Sequence, residues 1–444
     1  MKEREVALYA ILDILNEKAY NNIVLRRTLA QNSHLSMVQR AFVTELVNGT
    51  LRNKINIDYI ISLYSRTPVE KMKPVIINNL RISVYQIMYM DKVPDSAACN
   101  EAVELAKKRG FGTLAGFVNG VLRNIARNKN NITYPDREKH PIDYISVKYS
   151  YPVWLIEYWL KELDIDTIEK ICLSNRVPPK VSACINTLKT DKNGLKKALA
   201  ADNIAMTDGV FKENALYLSK TRDITETAAF ADGLYHVMDE SSMLAVDILA
   251  PKKGDKVLDC CAAPGGKSFY CAYKMENEGE IISADIYEHK LELIRSGAQR
   301  LGIDIIKTVL ADASVHNADY DGKMDCVLAD APCSGFGLFR KKPDIKYNKT
   351  MEDVEALAKI QRDILSACHT YVKPGGCLVY STCTISLKEN LENMRWFCKT
   401  YGFKGDNIQK YLNFDCKTAK DGYIQVLPCD FNTDGFFIAR LVRE

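Results

Sequence analysis

The sequence predicts a multidomain chain: an all-α N-terminal domain, a small α+β linker module, and a C-terminal α/β domain built on a doubly wound sheet. Three observations carry that expectation. Apolar residues recur at helical spacing through the first 130 positions. A break rich in Asn, Lys and Pro follows, and from about residue 236 short apolar runs alternate with helical stretches. At 444 residues, with 47% hydrophobic and 26% charged residues, the chain has the size and composition of two or three globular domains.

In the first part, Val6, Leu8, Ile11, Leu12 and Leu15 mark one face of a helix, and Val75 to Met90 repeats the pattern. Phe117-Val118-Asn119-Gly120-Val121-Leu122-Arg123-Asn124 closes a further helical segment flanked by Arg109, Arg127 and Lys129. Residues 1 to 130 hold 19 Lys and Arg against 11 Asp and Glu, a net of +8 that leaves −4 for the remainder. Such an asymmetry fits a module that attracts a polyanion, and charge alone fits a solvated helical surface equally well.

The break falls at residues 128 to 143. Residues 144 to 235 then read as the linker module: Tyr151-Pro152-Val153-Trp154 opens a helix through Leu163, Val181 to Thr187 is a strand, and a helix follows at Lys196-Lys197. Small modules of this RRM-like type grip RNA backbone. From 236 to 444, strands are expected at Lys256 to Asp259, Ile281 to Asp285, Ile306 to Leu310, Cys326 to Ala329 and Cys377 to Tyr380.

Several function classes lose support. No apolar run reaches the roughly 20 residues that span a bilayer, and Met1-Lys2-Glu3-Arg4-Glu5-Val6 lacks a secretion signal's apolar core, so a cytoplasmic location is expected. The 14 cysteines are scattered, with no C-x-x-C pair, and the six histidines form no cluster, so neither a disulfide framework nor a metal site is predicted.

The chemistry concentrates in the α/β part. Asp259-Cys260-Cys261-Ala262-Ala263-Pro264-Gly265-Gly266-Lys267-Ser268 joins the first strand to its helix, where glycines admit a ligand to the backbone and the helix start offers free N–H groups. Gly266-Lys267-Ser268 mimics the end of a phosphate-binding P-loop, but that motif requires glycine where this chain has Cys261. Asp285 ends the second strand, about 20 residues after the glycines, where an acidic side chain accepts from a ribose diol. Asp312 follows the third strand, placed to pair an exocyclic amine. Taken singly each is more often a cap or turn residue; their succession after three strands reverses that weighting and points to an adenosine-containing cofactor. Cys333, in Asp330-Ala331-Pro332-Cys333-Ser334-Gly335, and Cys383, in Tyr380-Ser381-Thr382-Cys383-Thr384, each follow a strand, so two thiols are expected to converge on one substrate.

These motifs closely resemble the RNA cytosine-carbon-5 methyltransferases of the bacterial 16S rRNA RsmB (Sun/Fmu) type, and the resemblance covers nearly the whole chain. It extends to Met238-Asp239-Glu240-Ser241-Ser242-Met243, Arg340-Lys341-Lys342-Pro343-Asp344-Ile345 and Asp434-Gly435-Phe436-Phe437. The N-terminal part resembles the NusB-type antitermination fold through Arg4-Glu5-Val6-Ala7-Leu8, its middle helix and the segment Phe117 to Asn124. The resemblance implies a Rossmann-like class I methyltransferase domain that binds S-adenosyl-L-methionine through Cys261, Ala262, Ala263, Pro264, Gly265, Gly266, Lys267, Asp285, Asp312 and Asp330, with 16S rRNA as partner and no metal.

It further implies that Cys383 is the nucleophile. A thiolate added to carbon 6 of cytosine makes the ring enamine-like, so that carbon 5 takes the methyl group, and Cys333 assists release of the product. Lys267 would favour the thiolate, and Asp330 would bond the cytosine amino edge or protonate N3. The target base must be single-stranded or extruded. Two residues depart from the family pattern: Phe336, where a small hydroxyl residue is commoner, and Thr384, where Ser is frequent. Against an amino-directed methyltransferase stands the thiol at Cys333, in the place of an Asn/Asp-Pro-Pro-aromatic motif. Methylation of cytosine C5 in tRNA or 23S rRNA, and a non-catalytic RNA-binding or antitermination factor, are the other readings.

Overall fold

The computed structural model describes residues 2–17, 19–210, 212–219 and 224–443. Contacts divide the chain into two units, Met1–Val177 with Phe339–Asn348, and Pro178–Leu338 with Lys349–Glu444.

The first unit is all-α. Its longer helices include Glu3–Asn16, Met37–Arg52, Pro74–Tyr89, Asp95–Lys108 and Ala115–Asn128. Met37–Arg52 starts where the Ser36 hydroxyl accepts from the Gln39 amide and the Gln39 side chain accepts from the Ser36 amide, a reciprocal cap. In Ala115–Asn128, Val118, Val121, Leu122 and Ile125 recur on one face and are buried with Leu8, Ile11, Leu46 and Leu80 in a single core. Part of the basic surface is spent inside the unit, since Arg109 pairs with the buried Glu5 and Lys129 lies 2.8 Å from Asp95.

Residues 144–177 of the expected linker module pack in this unit, through helices Pro141–Tyr149, Val153–Trp159 and Ile165–Ser174. So does Phe339–Asn348, a stretch that follows the Cys333 loop in sequence. Phe339 meets Tyr151 edge-on, 5.4 Å between ring centres. Lys346 Nζ donates to the carbonyls of Ser150 at 2.7 Å and Arg52 at 3.0 Å. Burial pushes the Lys346 ammonium down to about 7.

The second unit holds two sheets. Strands β1 (Val181–Ile185), β2 (Met206–Asp208), β3 (Ala215–Leu218) and β4 (Tyr235–Val237) form an antiparallel sheet in the order β2-β3-β1-β4. With helices Lys192–Ala201 and Ala228–Ala231 between the strands, this is the ferredoxin-like β-α-β-β-α-β arrangement.

The larger sheet comprises β5 (Lys256–Asp259), β6 (Glu280–Asp285), β7 (Ile306–Leu310), β8 (Met324–Asp330), β9 (Val372–Thr382), β10 (Lys404–Gly405), β11 (Tyr423–Val426) and β12 (Phe436–Val442). Its order is β10-β12-β9-β8-β5-β6-β7, with β11 also on β12. Strands β5 to β9 pair in parallel, whereas β12 runs antiparallel to β9, β10 and β11, so the sheet is mixed. Val257, Val327, Leu328, Leu378 and Val379 are fully buried, as continuous apolar runs in a sheet covered on both faces must be. The strand order reverses at β5, which lies between β6 and β8, and a crevice is expected outside the carboxyl ends of these strands. Among the described residues no helix is long and apolar enough to cross a membrane.

Candidate active site

The crevice is there. A cavity of about 520 Å³ opens at the carboxyl ends of β5 to β8, lined by Cys261, Ala263, Asp285, Ile286, Asp312, Asp330, Pro332, Ile360 and Ile364 among others. Of the expected cofactor residues, Cys261, Ala263, Asp285, Asp312 and Asp330 therefore share one wall. Ala262, Pro264, Gly265, Gly266 and Lys267 build the turn beside it without lining it.

Gly265 caps the helix Gly266–Lys274 at φ 104°, and a Cβ there would meet the Phe269 ring at 2.6 Å, so only glycine closes this turn. Asp259, at the end of β5, is buried; its Oδ2 accepts from Ser268 at 2.7 Å, while Oδ1 has no hydrogen-bond partner. Burial pushes its carboxyl up to about 7. Asp312 differs: hydrogen bonds from the Ser314 hydroxyl and amide hold its carboxyl below the usual range.

Asp330 ends β8 and is gripped on both oxygens, by Lys267 Nζ at 2.6 Å and by the Ser381 hydroxyl at 2.8 Å. Burial acts to lower the Lys267 ammonium, but the Asp330 carboxylate outweighs it, with Asp259 and Cys383 adding to the effect, so it stays charged above its ordinary value. The two thiols do converge. Cys333 Sγ and Cys383 Sγ are 3.3 Å apart, on the segments leaving the adjacent strands β8 and β9. The neighbouring Cys383 thiol and burial push the Cys333 thiol well above the ordinary cysteine range.

Residues that the sequence left unnoticed hold these segments. Glu389, fully buried, accepts from the Ser334 amide at 2.8 Å and hydroxyl at 2.6 Å, and from Gln361 at 3.0 Å. Thr384, one of the two departures from the family pattern, shares a 2.8 Å hydrogen bond with the Ser334 hydroxyl. The other, Phe336, is fully buried. Gly337 N donates to the Cys383 carbonyl, and the Gly435 amide donates to that of Gly337, both at 3.0 Å. A Cβ on Gly337 would lie 1.9 Å from the Gly435 oxygen. The signal available in the sequence was the spacing of Glu389 and Asn390 after Cys383, which periodicity alone reads as the start of an ordinary solvated helix.

The donor set fits a nucleoside cofactor bearing positive charge. Asp285, Asp312 and Asp330 bring carboxylates to the cavity, the first paired with Lys290 and the last with Lys267, and Ile286, Pro332, Ile360 and Ile364 offer apolar faces to a base. Among the described residues no group of three or more His, Cys, Asp or Glu is placed to hold a metal ion.

Comparisons with known proteins agree with this architecture. The family model described as 16S rRNA methyltransferase RsmB/F matches residues 246–442, the NusB family model residues 1–127, and a ferredoxin-like domain model of RsmF/B-like methyltransferases residues 151–225. The chain is 41% identical to the probable ribosomal RNA small subunit methyltransferase B of Bacillus subtilis (strain 168), over 99% of this chain and 98% of that one. It is 30% identical to the ribosomal RNA small subunit methyltransferase B of Shewanella oneidensis, over 100% and 99%. The crystal structure of PH0851 has the same fold, with a TM-score of 0.82 at 24% identity, covering 100% of this chain and 99% of that one.

Fold and crevice thus define an S-adenosylmethionine-dependent RNA methyltransferase. Within that class the chain belongs to the RsmB/F family, with the NusB-like domain at its N-terminus.

Proposed function

We propose that the protein methylates carbon 5 of a cytosine in 16S rRNA through a covalent adduct with Cys383. The observation that carries this reading is the 3.3 Å approach of Cys333 and Cys383 at the ends of adjacent strands, beside the cavity that Asp330 lines. S-adenosylmethionine, held by Cys261, Ala263, Asp285, Asp312 and Asp330 with the turn through Lys267 supporting that wall, would supply an electrophilic methyl group.

Cys383 acts as the nucleophile. Its thiolate adds to carbon 6 of the ring, the C5–C6 π electrons move to carbon 5, and that carbon becomes reactive toward an electrophile. Lys267, charged and held by Asp330, favours the thiolate. Asp330 has both oxygens engaged within the protein and meets the cytosine amino edge or N3 only by exchanging one of these partners. Once carbon 5 is methylated, water in the open crevice accepts its proton, the C–H electron pair restores the C5–C6 double bond, and the C6–S bond breaks with its pair going to the sulfur of Cys383. Cys333, pushed toward its protonated form, sits where it can return a proton to the departing sulfur. The N-terminal domain, residues 1–130, supplies RNA affinity, the module at 144–235 adds contacts to the RNA backbone, and residues 236–444 carry out catalysis.

The test is transfer of labelled methyl groups to unmodified 16S rRNA, with bisulfite sequencing to locate the product. A single protected cytosine that disappears in Cys383→Ala establishes reaction and site together. Transfer to tRNA or 23S rRNA alone would move the substrate. Absence of transfer to any RNA, with RNA affinity intact, would leave a binding factor.

A further inference from the structure

Each of two consecutive residues, Glu389 and Asn390, holds one of the thiol-bearing segments. We propose that this pair is a positioning clamp that sets the separation of Cys333 and Cys383. The inference rests on the roles given above to the two cysteines.

Glu389 grips the chain on both sides of Cys333. Its Oε1 accepts from the Ser334 amide at 2.8 Å and its Oε2 from the Ser334 hydroxyl at 2.6 Å, while Gln361 bridges to Oε1 at 3.0 Å and to the Pro332 carbonyl at 2.9 Å. Asn390 does the same for Cys383. Its Oδ1 accepts from the Thr382 hydroxyl at 2.6 Å, and its Nδ2 donates to the Thr384 carbonyl at 3.0 Å and to Gln425 at 2.7 Å. The clamp is itself anchored, because the Tyr380 hydroxyl donates to the Glu389 carbonyl and the Asn390 amide donates to the carbonyls of Ser386 and Leu387.

Glu389 and Asn390 are almost completely buried, and neither lines the cavity. A buried carboxylate and amide are costly unless satisfied, and packing alone is served as well by apolar residues. Here the Glu389 carboxylate, besides a hydrogen bond with Ser386, and the Asn390 side-chain amide bond to residues flanking a cysteine or to the bridging glutamines. Because the two clamp residues share one peptide bond, moving either displaces one sulfur relative to the other.

The experiment uses the full chain with Glu389→Ala, Glu389→Gln, Asn390→Ala and Ser334→Ala. Two readouts are taken. The first, independent of RNA and cofactor, is the rate at which diamide joins Cys333 to Cys383, followed by peptide mass spectrometry. The second is the denaturant-resistant protein–RNA adduct formed with unmodified 16S rRNA and S-adenosylmethionine. Glu389→Ala is expected to slow disulfide formation by up to about a hundredfold, the scale of a 1 Å misplacement. It should also raise the adduct, because release loses Cys333 while attack by Cys383 persists. Asn390→Ala should slow the disulfide and lower the adduct. Glu389→Gln, isosteric and able to accept from the Ser334 amide, should restore much of the wild-type rate. Ser334→Ala, a small change that tests the clamp even if Glu389→Ala fails to fold, should slow the disulfide by about tenfold, in keeping with loss of one buried hydrogen bond to a charged group.

An unchanged disulfide rate in Ser334→Ala, or parallel loss of adduct in Glu389→Ala and Asn390→Ala, would overturn the clamp. Should wild type methylate no RNA while the disulfide rates still separate, the clamp stands and the methylation reading falls.

Discussion

Strands β8 and β9 carry two pairs of close thiols. Cys326 and Cys377 are register partners inside the sheet, 3.8 Å apart between sulfurs; Cys333 and Cys383 meet at 3.3 Å where the chain has left it. The first pair is buried among Val257, Leu328 and Val379, with the Leu249 carbonyl as its nearest polar neighbour. The second is half-buried and surrounded by hydrogen-bonded side chains, Ser334, Thr384, Glu389 and Asn390. Closeness of sulfurs is therefore not what marks a reactive site. Two adjacent strands bring any matched pair of side chains together. Access and a polar brace separate the pair that can meet a substrate from the pair that fills a core.

Substitution of the outer pair should produce the largest effects. Cys383→Ala is expected to lower methyl transfer by about four orders of magnitude or more, as removal of a nucleophile does, and to form no adduct with RNA. Residual transfer near the wild-type rate would break the contrast. Cys333→Ala should stop multiple turnover while a protein–RNA adduct accumulates through Cys383, visible as a band shift under denaturing conditions. Normal turnover without trapping would remove its role in release.

The same contrast between buried and accessible groups holds for the carboxylates that end β5 and β8. Asp259 is buried with one oxygen unpaired and is pushed up to about 7, whereas Asp330 is paired with Lys267. Folded, Asp259 keeps its proton to about pH 7, and unfolded it loses it near the ordinary 3.8. Its contribution to stability is thus fully present below about pH 4 and is lost as the pH rises to 7. Asp259→Asn does not ionise, so its stability relative to the parent should climb between pH 4 and 7, by up to about 4 kcal/mol, and then level off. Chemical denaturation at pH 5 and pH 8 checks this; a constant difference would show that Asp259 is ionised throughout. The smallest effect belongs to the inner thiols. Cys326→Ala should cost about 1 kcal/mol of stability, the scale of one buried heavy atom removed, and leave kcat unchanged.

Much of this could be read in the sequence, for reasons particular to each element. The parallel strands announce themselves because both their faces are buried and Val257–Leu258, Ile281–Ile282 and Cys326–Ala329 had to be apolar. The Gly-rich turn is legible because Gly265 takes a backbone conformation that other residues resist. Glu389, Asn390 and Gln361 are not legible in this way, since a polar residue with a buried partner has the same letter as one facing water. Nor does local pattern show that β12 enters the sheet antiparallel beside β9.

By itself, then, the sequence determined the helical, mixed and α/β character of the successive parts, the positions of the parallel strands, the Gly-rich turn, and the two cysteines that follow strands. These follow from short-range rules: periodicity, steric limits on the backbone, and the end of an apolar run. Only the tertiary structure decided that Cys333 and Cys383 lie 3.3 Å apart, that Asp259 is buried while Asp330 is paired, and that Phe339–Asn348 packs with the helical unit. Each of these depends on partners far away in sequence. Burial and hydrogen bonding belong to pairs of distant residues, and nothing in the local pattern records the partner.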